Sequence, residues 1–259
     1  GGFALASKEF FKFRTEQGDS LNGYLLKPAD FDESKKYPVL MYVYGGPGSQ
    51  TVTNAWGGSR DFWHQHLAAE GYIIASIDNR GTGGMGRDFK HQTYANLGHM
   101  ETQDQISGAR YLSSLPFVDS SRIGIWGWSY GGYMSSLALM VGNEVFKTAI
   151  AVAPVTTWRY YDTIYTERYL QTPQDNAAGY DQNSPITHVE KLKGNLLLIH
   201  GTGDDNVHFQ NTVDLVNALI DAGKQFETFY YPNRNHGIRG GNTSHHLYTM
   251  LTDFLKENL

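Results

Sequence analysis

Residues 123–141 read IGIWGWSYGGYMSSLALMV, and this stretch decides the fold. Its first six residues are apolar and predict a strand, residues 123–128, that is buried on both faces. Residues 130–141 predict a helix that leaves this strand directly, through the glycine-rich turn GWSYG at 127–131. A strand that feeds a helix in this way is the repeating unit of a parallel sheet.

Seven other segments predict the remaining strands of that sheet. They are residues 9–15, 20–28, 39–44, 72–78, 147–153, 195–201 and 226–232. The first two alternate between apolar and polar residues and are separated by Gly18 and Asp19, which indicates an antiparallel hairpin at one edge.

Helical spacing of apolar residues predicts helices over residues 100–115, 130–141, 209–222 and 243–257. Because strands and helices alternate, we expect an α/β fold with one mostly parallel, eight-stranded sheet flanked by helices. The same pattern predicts a single domain over residues 1–259.

The composition excludes several classes of protein. The chain has 259 residues and a formal net charge of −5, which argues against a nucleic-acid-binding protein with a basic face. It contains no cysteine, so disulfide scaffolds, cysteine nucleophiles and thiolate metal sites are excluded. No stretch approaches the roughly 20 apolar residues of a membrane span.

Ser129 lies in a GxSxG motif between a predicted strand and a predicted helix, which is the setting of a nucleophilic serine. Such a serine needs a histidine base and a carboxylate that orients the base, in the chain order Ser, Asp or Glu, His. His236 is the downstream histidine that lies in a loop after a strand and before the last helix. Asp204 and Asp205 both follow the strand at 195–201, and the spacing does not choose between them.

Two donors are candidates for an oxyanion hole, which acyl transfer requires. One is the backbone N–H of Tyr130, the residue after the serine. The other is the hydroxyl of Tyr44, at the end of the strand 39–44, although this residue could equally be a packed strand-end aromatic.

The segment 154–194 interrupts the alternation of strands and helices and is rich in Tyr, Asp, Asn and Thr. A long excursion of this kind is typical of a lid or a pocket wall. Within it, Trp158, Tyr161 and Tyr165 share one helical face, which would either pack in the core or line a pocket beside the serine.

Longer motifs make the chain similar to a known family. GWSYGG at 127–132, YYDTIYTERY at 160–169, HGTGDDNVHFQ at 200–210 and HG at 236–237 resemble the catalytic domain of the prolyl oligopeptidase family of serine peptidases, in its dipeptidyl peptidase branch. The resemblance extends from about residue 9 to the end of the chain and implies an α/β-hydrolase fold.

The resemblance also implies roles for individual residues. Ser129 matches the nucleophile, Asp204 (and not Asp205) the orienting acid, and His236 the base. Tyr44 and the Tyr130 amide match the oxyanion donors, and Asn206 matches a residue that holds the substrate carbonyl. The pocket for a proline or alanine residue is matched by Tyr130, Val155, Trp158, Tyr161, Tyr165 and Val207.

The activity that the resemblance implies is the release of dipeptides with penultimate Pro or Ala from the amino end of peptides, without metal or cofactor. Relatives carry an N-terminal β-propeller that binds the substrate's free amine, and we expect that domain to lie outside these 259 residues. A homodimer through the C-terminal helix and a periplasmic or extracellular location are further expectations. The alternatives are an acyl-peptide hydrolase or esterase on the same fold, and a binding domain without catalysis.

Overall fold

The computed structural model describes residues 5–44, 58–80, 98–156 and 183–259. It confirms the eight-stranded sheet of an α/β fold. The strands are β1 (Glu9–Arg14), β2 (Ser20–Leu26), β3 (Tyr37–Tyr42), β4 (Ile73–Asp78), β5 (Val118–Trp128), β6 (Thr148–Val152), β7 (Asn195–Gly201) and β8 (Glu227–Tyr231).

The strands are ordered β1-β2-β4-β3-β5-β6-β7-β8 across the sheet. β1 pairs antiparallel with β2, and β2 pairs antiparallel with β4, whereas every pair from β4 to β8 is parallel. The predicted hairpin at one edge and the predicted parallel majority are therefore both confirmed. β5 begins at Val118, earlier than the apolar run at 123–128 indicated.

The helices within the described residues are α1 (Ser59–Ala69), α2 (His99–Ser113), α3 (Tyr130–Val141), α4 (Gln210–Asp221) and α5 (Thr243–Asn258), with a 3₁₀ helix at Pro185–Lys191. The sequence pattern did not reveal α1. The reason is that α1 buries polar side chains, including Asp61, His64 and Gln65, so its buried face does not read as an apolar stripe.

Helices cover both faces of the sheet. Alternate strand residues point to opposite faces, so Val39 and Met41 pack with α2 and α3, while Leu40 and Tyr42 pack with α1 and α5. The result is two apolar cores separated by the sheet. None of the helices in the described ranges is long and apolar enough to cross a membrane.

The parallel strands all end at one edge of the sheet, and the loops that follow them meet there. Ser129 follows β5, Asp204 follows β7 and His236 follows β8. This topology brings together three residues that are far apart in the sequence, at the edge where open α/β sheets place their ligands.

Candidate active site

Ser129 occupies a one-residue turn between β5 and α3. Its backbone has φ 60° and ψ −115°, outside the regions that most non-glycine residues adopt. The turn is held because the Ser129 N–H donates to the Val152 carbonyl at 2.8 Å and the Ser129 carbonyl accepts from the Tyr133 N–H at 3.1 Å. The side chain is thereby presented at the end of the sheet, beside the first N–H groups of α3.

The glycines of the motif let the backbone just after β3 come close to this turn. A Cβ atom on Gly127 would lie 2.4 Å from the Val43 carbonyl oxygen, and one on Gly131 would lie 2.0 Å from the same atom. Both distances are far below van der Waals contact, so any side chain at either position would push the backbone at Val43 away from the turn. The spacing of the motif is therefore a packing requirement as well as a signature.

Asp204 and His236 are joined directly. The distance between Asp204 Oδ2 and His236 Nδ1 is 2.7 Å, a short charge-assisted hydrogen bond. The other carboxylate oxygen, Oδ1, accepts the backbone N–H groups of Asn206 and Val207, each at 2.9 Å. Three donors thus fix the orientation of the carboxylate, and the carboxylate in turn fixes the ring of His236.

Burial acts to raise the pKa of Asp204, but the hydrogen bonds from His200, His236 and the Val207 amide outweigh it and lower the pKa below its ordinary value. The carboxyl group is therefore ionised at neutral pH, although its residue is only 5% exposed. An ionised acceptor at Nδ1 favours the tautomer that leaves His236 Nε2 able to accept a proton.

Asp205 stands in a different environment from Asp204. It is exposed, whereas Asp204 is buried beneath the loop that carries His236. The geometry thus favours Asp204 as the partner of the histidine, as the resemblance implies and as spacing alone did not decide.

The loops that carry the acid and the base are fastened to each other. The Gly203 N–H donates to the Arg234 carbonyl at 2.9 Å, and the Asn233 N–H donates to the Thr202 hydroxyl at 2.8 Å. The indole N–H of Trp128, the residue before the serine, donates to the His236 carbonyl at 2.9 Å. This last bond ties the base directly to the turn that carries Ser129.

In the described residues, no hydrogen bond joins Ser129 Oγ to His236 Nε2. Such bonds are commonly long without substrate and tighten when it binds. The site as it stands has an oriented acid–base pair and a serine presented on the neighbouring turn.

The two oxyanion candidates lie next to each other. Tyr44 is 37% exposed, and its ring centroid is 6.2 Å from that of Tyr130. Since Tyr130 is also the first residue of α3, its amide stands at the positive end of a helix. Tyr44 is therefore an accessible strand-end residue and not a packed one.

The described part of the predicted pocket is apolar and buried. Tyr130, Val155 and Val207 are each no more than 3% exposed and belong to the core on the α3 side of the sheet. Asn206 is exposed on the loop beside Asp204. The other predicted pocket residues, Trp158, Tyr161 and Tyr165, lie outside the described residues.

Sequence reasoning missed the role of His200, which supports the acid loop. His200 is fully buried, its Nδ1 is 2.6 Å from the Thr212 hydroxyl, and its Nε2 is 2.7 Å from the Val207 carbonyl. The same Nε2 is 3.3 Å from Asp204 Oδ2. Its position at the end of a strand was visible in the sequence, but the side chains that it touches were not.

Glu101 was also missed, because nothing in the pattern of α2 distinguishes it from a surface carboxylate. It is fully buried, its Oε2 accepts the Gly98 N–H at 2.8 Å, and its Oε1 accepts the Tyr130 hydroxyl at 3.1 Å. Burial raises the pKa of Glu101 to about 8. Glu101 thus supports the back of Tyr130, the residue that lies in both the candidate pocket and the candidate oxyanion hole.

Comparison with known proteins places these features in a family. Residues 59–259 match the model of the prolyl oligopeptidase family. The chain is 47% identical to pig (Sus scrofa) dipeptidyl peptidase 4 over 90% of its length, and 44% identical to a probable dipeptidyl-aminopeptidase B of the fungus Paracoccidioides lutzii over 98%.

Comparison with solved structures shows the same similarity. The crystal structure of Porphyromonas gingivalis dipeptidyl peptidase 4 superposes with a TM-score of 0.95, at 47% identity over 99% of this chain and 36% of that one. The chain spans about three tenths of the length of the curated relatives. These matches confirm the α/β-hydrolase fold, and the chain belongs to the prolyl oligopeptidase family of serine peptidases.

Proposed function

We propose that the protein is a serine peptidase that releases dipeptides from the amino end of peptides with Pro or Ala at the second position. The observation that carries the proposal is the 2.7 Å contact between Asp204 and His236, next to a serine on a strand-to-helix turn. The names of the relatives support the dipeptidyl register, although each of them is much longer than this chain.

The reaction would begin when Ser129 Oγ attacks the carbonyl carbon of the second substrate residue while His236 Nε2 takes the hydroxyl proton. The carbonyl oxygen becomes an oxyanion, which the Tyr130 N–H and the Tyr44 hydroxyl stabilise. His236 then gives its proton to the leaving amine, and the C–N bond breaks to leave an acyl-enzyme. Water, deprotonated by His236, attacks this ester, and the dipeptide leaves as Ser129 regains its proton.

Asp204 remains ionised throughout this cycle. Its carboxylate stabilises the imidazolium that forms twice, once in acylation and once in deacylation. The lowered pKa of Asp204 is consistent with that role, because a protonated carboxyl group would lose the charge that holds the imidazolium.

We assign the preference for Pro or Ala at the second position of the substrate to an apolar pocket. The buried side chains of Tyr130, Val155 and Val207 supply one wall, and a five-membered ring or a methyl group fills such a site without needing a polar partner. Trp158, Tyr161 and Tyr165 complete the pocket by resemblance to the family, and Asn206 holds the substrate carbonyl.

We propose further that these 259 residues form one catalytic domain and that a β-propeller outside them recognises the substrate's amine. A homodimer is proposed through α5 and the neighbouring β8. Within the described sheet β8 has a neighbour only on the β7 side, and Phe229 on it is 36% exposed. Sedimentation tests this dimer, since Phe229→Glu should yield a monomer.

The function is tested by comparing Gly-Pro-anilide, its N-acetylated form and an ester of similar size. Faster turnover of the free-amine anilide supports the dipeptidyl peptidase, whereas a preference for the acetylated form indicates an acyl-peptide hydrolase. A fluorophosphonate probe should label the protein but not its Ser129→Ala variant. Absence of labelling in both would support a domain that binds without catalysis.

A further inference from the structure

A cavity adjoins the site on the opposite side of the sheet from the residues of the proposed apolar pocket. It has a volume of about 660 Å³, and its walls include Tyr42, Arg60, Trp128, His236, Arg239 and Tyr248. Tyr42 and Trp126, which also lines it, belong to the core that packs against α1 and α5, whereas the pocket residues belong to the other core. The cavity and the residues of the proposed pocket therefore lie on different faces of the sheet.

The geometry of the reaction indicates which part of the substrate would enter this cavity. His236 must come within hydrogen-bond distance of the leaving nitrogen in order to protonate it. The part of the substrate that follows the scissile bond therefore starts at His236, which is itself in the cavity wall. One extended residue adds about 3.5 Å, so the first or second residue of the leaving peptide reaches into the cavity.

The cavity is positively charged. Its described wall contains two arginines, Arg60 and Arg239, and no aspartate or glutamate. Outside that wall, Asp61 forms an ion pair with Arg60, but its Oδ1 lies 3.8 Å from Arg60 Nε, too far for a hydrogen bond. Both guanidinium groups share the cavity wall with the Tyr248 phenol, whose pKa burial raises to about 12.

Arg60 is already held in place. Its Nη1 donates to the Tyr42 hydroxyl at 2.9 Å, and its guanidinium lies over the Tyr42 ring, 4.6 Å from the centroid. This leaves its other N–H groups for a ligand, in an orientation fixed before binding. A preorganised guanidinium loses less freedom when it binds a carboxylate.

Arg239 is the second cation in the cavity wall. It makes no hydrogen bond and no ion pair with any residue that the structure describes. Its side chain lies beside the loop that carries His236. The evidence is that Arg239 Nε lies 3.4 Å from the position that a Cβ atom would take on Gly237. A charged group in the wall beside the base, without an anionic partner among the residues that the structure describes, points to a ligand that brings the negative charge.

We propose that Arg60 and Arg239 make this cavity a leaving-group subsite selective for a carboxylate carried by the departing peptide. The inference rests on the proposed peptidase function and deepens it. The carboxylate can be the C-terminus of a very short substrate or an acidic side chain near the scissile bond. Both present a planar pair of oxygens, the shape that a guanidinium binds through two hydrogen bonds.

The test compares Ala-Pro-Ala with its C-terminal amide and with Ala-Pro-Glu-amide, at low ionic strength because salt weakens such pairs. We expect a carboxylate to raise kcat/KM about three- to tenfold over the neutral amide, between the effects of exposed and buried charge pairs. A gain in Ala-Pro-Ala assigns the subsite to a C-terminus, and a gain in Ala-Pro-Glu-amide assigns it to a side chain.

Variants then locate the effect. Arg239→Gln should remove most of the preference and leave hydrolysis of Gly-Pro-anilide, which carries no carboxylate, unchanged. Arg14→Gln is the matched control, since it removes the same charge from an exposed residue of β1, outside the cavity wall, whose Nη1 donates to the Gly18 carbonyl. Arg60→Gln tests the second cation. Equal kcat/KM for acids and amides in the unaltered protein, or a preference that survives in both Arg239→Gln and Arg60→Gln, overturns the proposal.

The proposed subsite and the proposed peptidase function can be disproved by different results. If neither the anilide nor any peptide is cleaved, the proposed function is wrong, and calorimetric titration of the Ser129→Ala variant decides the subsite. Tighter binding of Ala-Pro-Ala than of its amide, reduced by Arg239→Gln, supports the subsite. Equal dissociation constants overturn it.

Discussion

His200 Nε2 lies 3.3 Å from Asp204 Oδ2, the same carboxylate oxygen that bonds His236. One acid is therefore placed between two imidazoles, of which one is fully buried and the other reaches the active site. Nε2 of His200 also lies 2.7 Å from the Val207 carbonyl, on the loop that carries Asp204. We infer that His200 positions the acid loop without touching substrate.

Replacement of His200 should therefore impair catalysis through Asp204. In His200→Gln, the amide can keep some of these bonds, and we expect kcat to fall on the order of tenfold, with a larger loss in His200→Ala. KM should change little, because the apolar pocket stays in place.

Steady-state kinetics across pH separate positioning from mere destabilisation. A positioning role predicts that His200→Gln changes kcat and its pH profile while the protein still unfolds cooperatively. The exposed His208, two residues before α4, gives the matched control His208→Gln. Wild-type kcat in His200→Ala, under conditions where it is folded, would contradict the role.

Asp204→Asn should cost far more activity than Asp205→Asn. An asparagine at 204 no longer stabilises the imidazolium and can hold His236 in the wrong tautomer, so kcat should fall by about 10³–10⁴. Asp205 is exposed and should tolerate the change to within about twofold, as surface positions generally do. Single-turnover acylation rates check both variants, and similar losses in the two would refute the assignment of the acid.

Tyr44→Phe should lower kcat with little effect on KM. The hydroxyl is proposed to bind charge that develops only at the transition state, and losing one such donor typically costs about 10²–10³ in rate. The ring that lies beside Tyr130 is kept, so the packing is unchanged. If KM rose and kcat did not change, Tyr44 would be part of the binding surface and not an oxyanion donor.

Much of the fold could be predicted because each signal was local. Apolar runs such as 123–128 mark buried strands, and the GWSYG turn fixes the junction of β5 and α3. α1 could not be predicted because its buried face carries the polar side chains of Asp61, His64 and Gln65. Trp126 bonds His64 and Ala6 bonds Gln65, and both partners are distant in the sequence. Periodicity detects apolar stripes and is blind to such a face.

The residues of the site also divide into those that the sequence could predict and those that it could not. Ser129 and His236 could be found from turn and loop context, whereas Asp204 and Asp205 are equivalent in spacing and differ only in burial. The roles of His200 and Glu101 and the arginine-lined cavity depend on contacts between side chains of different elements. No pattern within one segment encodes which partner a buried polar group will meet.

Glu101 makes stability depend on pH in the direction opposite to that of an ordinary acid. Its pKa rises from 4.5 to about 8 on folding, mainly because burial disfavours the charged form. The folded state therefore binds the proton more tightly than the unfolded state, and stability is highest below the unfolded pKa and falls as pH rises toward the folded pKa. Between about pH 5 and 8 this group should cost on the order of 1 kcal/mol per pH unit.

Glu101→Gln keeps a carbonyl oxygen for the Gly98 N–H and the Tyr130 hydroxyl and removes the titration. We expect the variant to be more stable than the unaltered protein at about pH 8, to be similar below about pH 5, and to lose the decline between them. The difference between the two urea-unfolding series isolates the contribution of Glu101 from that of other titrating groups, including Asp104, whose pKa is also raised by burial.

As a control, Glu144→Gln on the surface should leave the pH dependence of stability as it was, since that carboxylate is exposed and pairs with Arg110. A pH profile of unfolding that is the same with and without Glu101 would show that this carboxyl group does not hold its proton in the folded protein.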